Sequence, residues 1–247
     1  MKPLFTFFVF LFSLSLPALA QQRVEYTSDF VFKDGIYLSF QDVQNNNPIA
    51  ITHILSSFDI RATDYLWQVL NTDSILYYDN LFEERKVPVN MIWGFCSNNK
   101  IHVGINTVER SNSWEDRDWF PLITIGVYSY FTAIISVTRF MPPMPGAMMP
   151  SGGISMYNDP MFDGQGNYYQ ESVPIQMLLD FSNGDFIQLA TGDLNSISPR
   201  LMAGLLQTDQ ALLREYLDKS SRDQKQTSMF YIRKFNQRNL IYFPVSK

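Results

Sequence analysis

Trp114-Glu115-Asp116-Arg117-Asp118-Trp119 sets three carboxylates and a guanidinium between two indoles. Sugars bind by laying apolar faces on aromatic rings while their hydroxyls bond to carboxylates. Trp114, Glu115, Asp116, Asp118 and Trp119 are therefore candidate binding residues for a glycan. A glycosidase needs more, namely two carboxylates held about 5–10 Å apart across a cleft, and spacing along one loop does not establish that. No catalytic residue is assigned. The same segment also reads as a polar turn leading into strands with Trp119 packed inward, and charged turns are commonplace.

The other chemistry-bearing residues point to little. Met141-Pro142-Pro143-Met144-Pro145-Gly146-Ala147-Met148-Met149-Pro150 carries thioethers that can hold Cu(I), but no His or Cys lies within the run to tighten a site. It reads as a Pro-rich loop whose flexible apolar side chains lie on a neighbouring sheet or on a partner. Asp163-Gly164-Gln165-Gly166-Asn167 looks like part of a calcium loop, yet Tyr168 stands where an EF-hand needs glycine. One cysteine excludes a disulfide framework and any multi-cysteine zinc site, and two histidines leave little for His-based catalysis. No nucleophile elbow, Walker loop, dinucleotide fingerprint or His-Glu-x-x-His occurs. No metal or cofactor is expected.

The elements that must position these residues are mostly strands. Asn90–Cys96, Asn98-Asn99 and Lys100–Ile105 make a hairpin around a dipeptide that tolerates positive φ. A two-residue loop sets Cys96 opposite Ile101, Gly94 opposite Val103 and Ile92 opposite Ile105 on a core face. Cys96 is then a small buried hydrophobe, although a reactive thiol is the alternative. The other face pairs Phe95 with His102 and Trp93 with Gly104, an aromatic covering bare backbone. A second hairpin, Pro174–Ala190, surrounds Asn183-Gly184 and pairs Phe181 with Phe186 and Leu178 with Leu189. Further strands are predicted at Phe30–Leu38, His53–Phe58, Ser74–Tyr78 and Asp118–Ser136. Ser39 with Asp42 three residues on reads as a capped helix start, ended by Asn45-Asn46-Asn47-Pro48.

After Asp193 the chain changes character. Ser198-Pro199 and Thr208-Asp209 start helices, and Leu205, Leu206, Leu212, Leu213, Tyr216 and Leu217 recur at helical spacing. Strands first and helices last indicate an α+β fold: an antiparallel β-sheet or open barrel of several hairpins followed by a helical C-terminal segment. The nineteen uncharged residues from Phe120 to Thr138 alternate with period two and contain Pro121 and Gly126. They read as buried strands, not as an integral membrane span.

Lys2, the uncharged run Leu4–Leu16 and Ala18-Leu19-Ala20 have the three parts of a signal peptide. Thirteen apolar residues fall short of the roughly 20 a membrane span needs. The expected organisation is a leader at 1–20 and one α+β domain at 21–247, sheet to about 193 and helices from about 198 to 240. Location is then periplasmic or extracellular. Removing the leader takes one lysine and no acid, leaving 18 basic against 24 acidic residues, a net of −6. Residues 21–213 hold 10 basic and 21 acidic groups, whereas 214–247 hold 8 and 3, a net of +5. That segment is either a cationic arm for an anionic partner or membrane surface, or a solvated helix face complementing its own acidic domain. An exported acidic chain without a binding motif argues against nucleic acid.

The stretch Asp34-Gly35-Ile36-Tyr37-Leu38-Ser39-Phe40-Gln41-Asp42-Val43-Gln44-Asn45-Asn46-Asn47-Pro48 resembles the opening of an uncharacterised family of exported Bacteroidetes proteins, in which a glycine-started strand runs into a short helix ending in Asn-x-Pro. Ile92–Ile101, the Leu179-Asp180-Phe181 hairpin and Tyr231–Asn236 are similar to the same proteins. The resemblance implies a bacterial cell envelope and assigns no reaction, ligand or site residue. The expectation is a non-catalytic envelope protein, structural or binding, whose partner is an envelope protein or glycan. The alternative is a carboxylate-dependent enzyme or binding protein acting on glycan or peptide. Acidic groups from distant segments converging on one cleft would separate the two.

Cleavage is expected between Ala20 and Gln21. Intact-mass measurement of protein recovered after export checks it, and a product retaining Met1–Ala20 would overturn the leader assignment.

Overall fold

A computed structural model describes residues 22–106, 117–141, 167–191 and 197–245. The first half runs β1 (Arg23–Glu25), β2 (Gly35–Tyr37), α1 (Phe40–Gln44), β3 (Ile49–Ala50), β4 (Ile54–Leu55), α2 (Tyr65–Leu70), β5 (Ser74–Tyr78), β6 (Glu84–Pro88), β7 (Gly94–Ser97) and β8 (Lys100–Asn106). The second runs β9 (Arg117–Pro121), β10 (Tyr128–Met141), β11 (Asn167–Asp180), β12 (Phe186–Thr191), α3 (Pro199–Leu205), α4 (Gln210–Leu217), α5 (Ser221–Arg238) and β13 (Tyr242–Pro244). Strands pair in the orders β3-β2-β7-β8-β9, β10-β11-β12, β4-β5-β6 and β1-β13. All named pairs are antiparallel, and no sheet closes. The fold is α+β, as its sequence predicts.

Local chemistry explains the starts and stops. Asp42 of α1 accepts from the Ser39 backbone N–H at 2.8 Å while Ser39 Oγ accepts from the Asp42 N–H, a complete capping box. Asn46 follows with φ +47° and is buried. Its amide accepts from Lys33 N and the Tyr37 hydroxyl and donates to the Val31 carbonyl. An Asn suits a left-handed position and supplies these bonds at once. Asn98 and Asn99 both take positive φ in the predicted β7–β8 turn, and the register Cys96↔Ile101, Phe95↔His102 and Gly94↔Val103 is the expected one.

That hairpin is buried on both faces. Cys96, Ile101 and Val103 join Tyr37, Phe131, Leu179 and Phe243 in a core between the five-stranded sheet and β10–β11. Phe95 and Ile36 point the other way, to a second core with Tyr65, Leu66 and Val69 of α2 and Ile75 of β5. The three-stranded sheet repeats the device, since Leu179 faces the first core while Leu178, Tyr128 and Leu189 meet Met202, Leu212, Tyr216, Ile232 and Phe235 of the helices. Strand alternation thus stacks the sheets and the helical layer over three cores.

Several expectations need correction. The strand predicted at Phe30–Leu38 is confined to Gly35–Tyr37, because Phe32 N and Lys33 N donate to the Asn99 and Asn46 side chains instead of to a ladder. Residues 89–91 and 51–53 form 3-10 turns, which shortens the strands predicted at Asn90 and His53. Trp119, not Trp93, covers Gly104: a Cβ there would lie 2.7 Å from the Trp119 ring. Trp93 instead packs on Phe40 and Phe186. In the second hairpin Leu178 pairs with Ile187 and Leu179 with Phe186. Asp180 Oδ1 accepts from Ser182 N, and Asn183 Oδ1 accepts from Asp185 N, so Asn183-Gly184 belongs to a longer loop and Phe181 turns into the core. Leu217, read as core, is 51% exposed at the end of α4.

Besides apolar packing, a polar clamp ties the helices to the sheet. Asn236 of α5 accepts from Tyr128 N at 2.9 Å and donates to Tyr128 O at 2.8 Å, imitating a neighbouring strand at the start of β10. Asn236→Ala should cost about 1–3 kcal/mol by leaving both Tyr128 backbone groups without that partner. A thermal melt reads it, and an unchanged midpoint would remove the clamp from the account of docking.

Candidate functional site

Of the predicted binding residues, Trp114, Glu115 and Asp116 lie outside the described residues, as do 142–150 of the Met/Pro run and 163–166 of the calcium-like turn. Asp118 and Trp119 lie side by side on β9, where alternation sends them to opposite faces. Trp119 packs edge-on against Phe95 at 5.5 Å. Arg117 shares that face, its guanidinium 5.6 Å from the Trp119 ring and donating to the Asn90 carbonyl at 2.6 Å. Burial lowers Arg117 to a pKa of about 10. Asp118 stands opposite Ile105, on the face that carries Phe120 into the other core. β9 therefore does not bring Asp118 and Trp119 into one site.

The lone thiol and the two imidazoles occupy different settings. Cys96 is fully buried, and burial together with the Asp34 carboxylate raises its pKa, which keeps it a neutral thiol. His102 stacks flat on Phe95 at 4.5 Å, and Trp67 of α2 closes edge-on over both rings. Burial lowers its pKa. His53 instead lies at the rim of an open cleft.

That cleft, about 410 Å³, runs between α1 and β3 on one side and the end of β5 on the other. It brings together Lys33, Asp42, Asn47, His53, Tyr78 and Asp79 from segments far apart in the chain. Two carboxylates from distant segments thus meet one cavity, the convergence expected of the carboxylate-dependent enzyme, but both are engaged locally. Asp42 Oδ2 accepts from the Ser39 N–H and hydroxyl, each at 2.8 Å. Asp79 Oδ1 accepts from Leu81 N at 2.8 Å and Glu83 N at 3.0 Å, while Oδ2 accepts from Arg85 Nε at 2.9 Å. The Glu83 N–H first, then Arg85, lowers the Asp79 pKa. A general acid needs the opposite shift.

Asp79 shapes the β5–β6 tip. Phe82 takes φ +58°, a costly conformation for a bulky side chain, and Leu81 and Phe82 are 75% and 78% exposed. The Phe82 ring stands 6.4 Å from the His53 ring, extending the cleft wall. Tyr78, 39% exposed, adds a second ring. Beside the two carboxylates the lining offers rings, amides, the aliphatic side chains of Leu38, Pro48 and Ile49, and one cation, Lys33. Among the described residues no three His, Cys, Asp or Glu gather as metal ligands.

Comparison with protein-family models, curated proteins and solved structures finds no match to this chain. The reading therefore rests on geometry. No sequence motif marks the cleft, since its lining is scattered from Lys33 to Asn80. One element behind it was detectable: Asp64 precedes Tyr65, Leu66, Val69 and Leu70, the helical spacing of α2.

Because the folded Asp79 pKa is depressed, its support of the tip is complete above the ordinary aspartate value, about 3.9. It is lost as pH falls through the lower folded value. The Leu81 and Glu83 amide resonances should titrate with a midpoint below that of a free aspartate; a midpoint at or above it would contradict the assigned bonds.

Proposed function

We propose that this chain is an exported, non-catalytic binding protein of the bacterial cell envelope that takes a glycan or peptide in the His53–Tyr78 cleft. One observation carries the non-catalytic part: both carboxylates lining the cleft are held by local donors, and the pKa of Asp79 moves away from that of a proton donor. The export part is supported by the leader pattern ending in Ala18-Leu19-Ala20 and by the Bacteroidetes resemblance of Asp34–Pro48. Cleft size suits a small ligand or one segment of a polymer. Tyr78 and Phe82 offer ring faces, and Asn47, Asn80 and Lys33 offer polar partners for hydroxyls or carboxylates.

Soluble peptidoglycan fragments, which present both glycan and peptide, are the probe. Binding should shift the NMR resonances of His53, Tyr78 and Asn80, and Tyr78→Ala should weaken it about tenfold through loss of ring contact. Mass spectrometry of the fragments afterwards should find them intact. Cleaved fragments would favour the carboxylate-dependent enzyme, and absence of shifts at the cleft would sink the binding reading.

A further inference from the structure

The helical layer has two unlike faces. Tyr231, Ile232 and Phe235 of α5 are buried against the three-stranded sheet and its neighbouring helices. At about 100° per residue, Arg222, Gln226, Arg233 and Gln237 fall within an arc of roughly 60° on the other side. All four are exposed. Exposed Lys225 lies about 60° beyond the arc on one side, and Phe230, 56% exposed, lies about 20° beyond it on the other.

Charge in this layer is not balanced from within the molecule. Glu215 is held by Lys234 at 2.6 Å and Asp209 by Arg238 at 2.9 Å, while Asp223 accepts from the Ser220 hydroxyl at the start of α5. Among the described residues, Arg214, Arg222, Lys225 and Arg233 take part in no ion pair. If the +5 segment served to neutralise the acidic sheets, ion pairs should cross from α5 to them. Among the described residues the α5 ion pairs end instead on Glu215 of α4 and on Asp209, the cap of α4. The surplus cations therefore face outward, on a molecule whose remaining chain is strongly acidic, and such a charge dipole orients in the field of an anionic surface.

We propose that the outward face of α5 docks on an anionic lipid bilayer, with Arg222, Lys225 and Arg233 at the phosphate headgroups and Phe230 entering the interfacial zone. The exposed ring selects lipid over an anionic polysaccharide: Lys234 Nζ already stands 5.9 Å over its face, where a sugar would stack, whereas a bilayer interface takes its exposed edge beside the cations. Contact is peripheral, and no helix among the described residues is long and apolar enough to cross a membrane. The surface is separate from the cleft and does not depend on it.

The test is co-sedimentation of protein recovered after export with vesicles of equal parts phosphatidylglycerol and phosphatidylcholine, beside vesicles of phosphatidylcholine alone. Binding is expected on the first only, and should fall steeply as salt rises. Each charge removed should lower partitioning about fivefold, so the triple variant Arg222→Gln, Lys225→Gln, Arg233→Gln loses about a hundredfold. Phe230→Ser should weaken binding with all charges kept, and Arg61→Gln, outside the helical layer, should leave it unchanged. Circular dichroism melts confirm that each exposed substitution folds. Equal binding to both vesicles, or by the triple variant, overturns the proposal. So does capture by polygalacturonate beads with no binding to anionic vesicles, which would transfer the face to a polysaccharide.

Discussion

Everything in this structure depends on strands that are buried on both faces. In β7–β8 the alternation of Phe95, Cys96, Ile101 and His102 sends neighbours into two different cores. In β11 the adjacent pair Leu178 and Leu179, both fully buried, does the same. A slip of one residue would exchange the two sets of side chains, so register is fixed from both sides at once. The tolerance for size is correspondingly small. A Cβ on Gly94 would meet the His102 carbonyl at 2.4 Å, and on Gly104 the Arg117 and Trp119 side chains.

Stacked sheets leave few places for unpaired backbone, and side-chain amides and carboxylates fill that need. Asn46 and Asn99 tie residues 31–33 to distant loops, Asn236 completes the start of β10, and Asp79 and Asp180 organise hairpin ends. Satisfying buried or half-buried polar groups in this way is a requirement of folding. It also bears on function, because a carboxylate that accepts from local N–H groups is a poor proton donor. The same economy of polar groups leaves Asp42 and Asp79 at the His53–Tyr78 cleft bonded to their own loops.

Charge follows the layers. Apolar burial docks the helices on the sheet through Met202, Leu212, Tyr216 and Phe235, and this leaves their cationic side chains outward. One helix carries both a docked apolar stripe and an outward cationic one because its period separates them.

Short-range chemistry was legible in the residues themselves. Ser39 and Asp42, the Asn98-Asn99 turn, the β7–β8 register, the helix start at Pro199 and the cap at Asp209 are set by neighbours within a few positions, and the structure has them where the sequence placed them. Strand alternation and the late helices likewise sufficed for an α+β assignment. What the sequence could not decide was which of two faces met which core, because period two marks alternation without naming the partner. Nor could it decide that residues 30–34 are held by the side chains of Asn46 and Asn99, that Trp119 rather than Trp93 covers Gly104, or that Asn183-Gly184 sits in a longer loop. Each of those is settled by groups far apart in the chain. The cleft belongs with them: its lining comes from separate segments, and only packing of α1, β3 and β5 brings Asp42, His53 and Asp79 to one cavity.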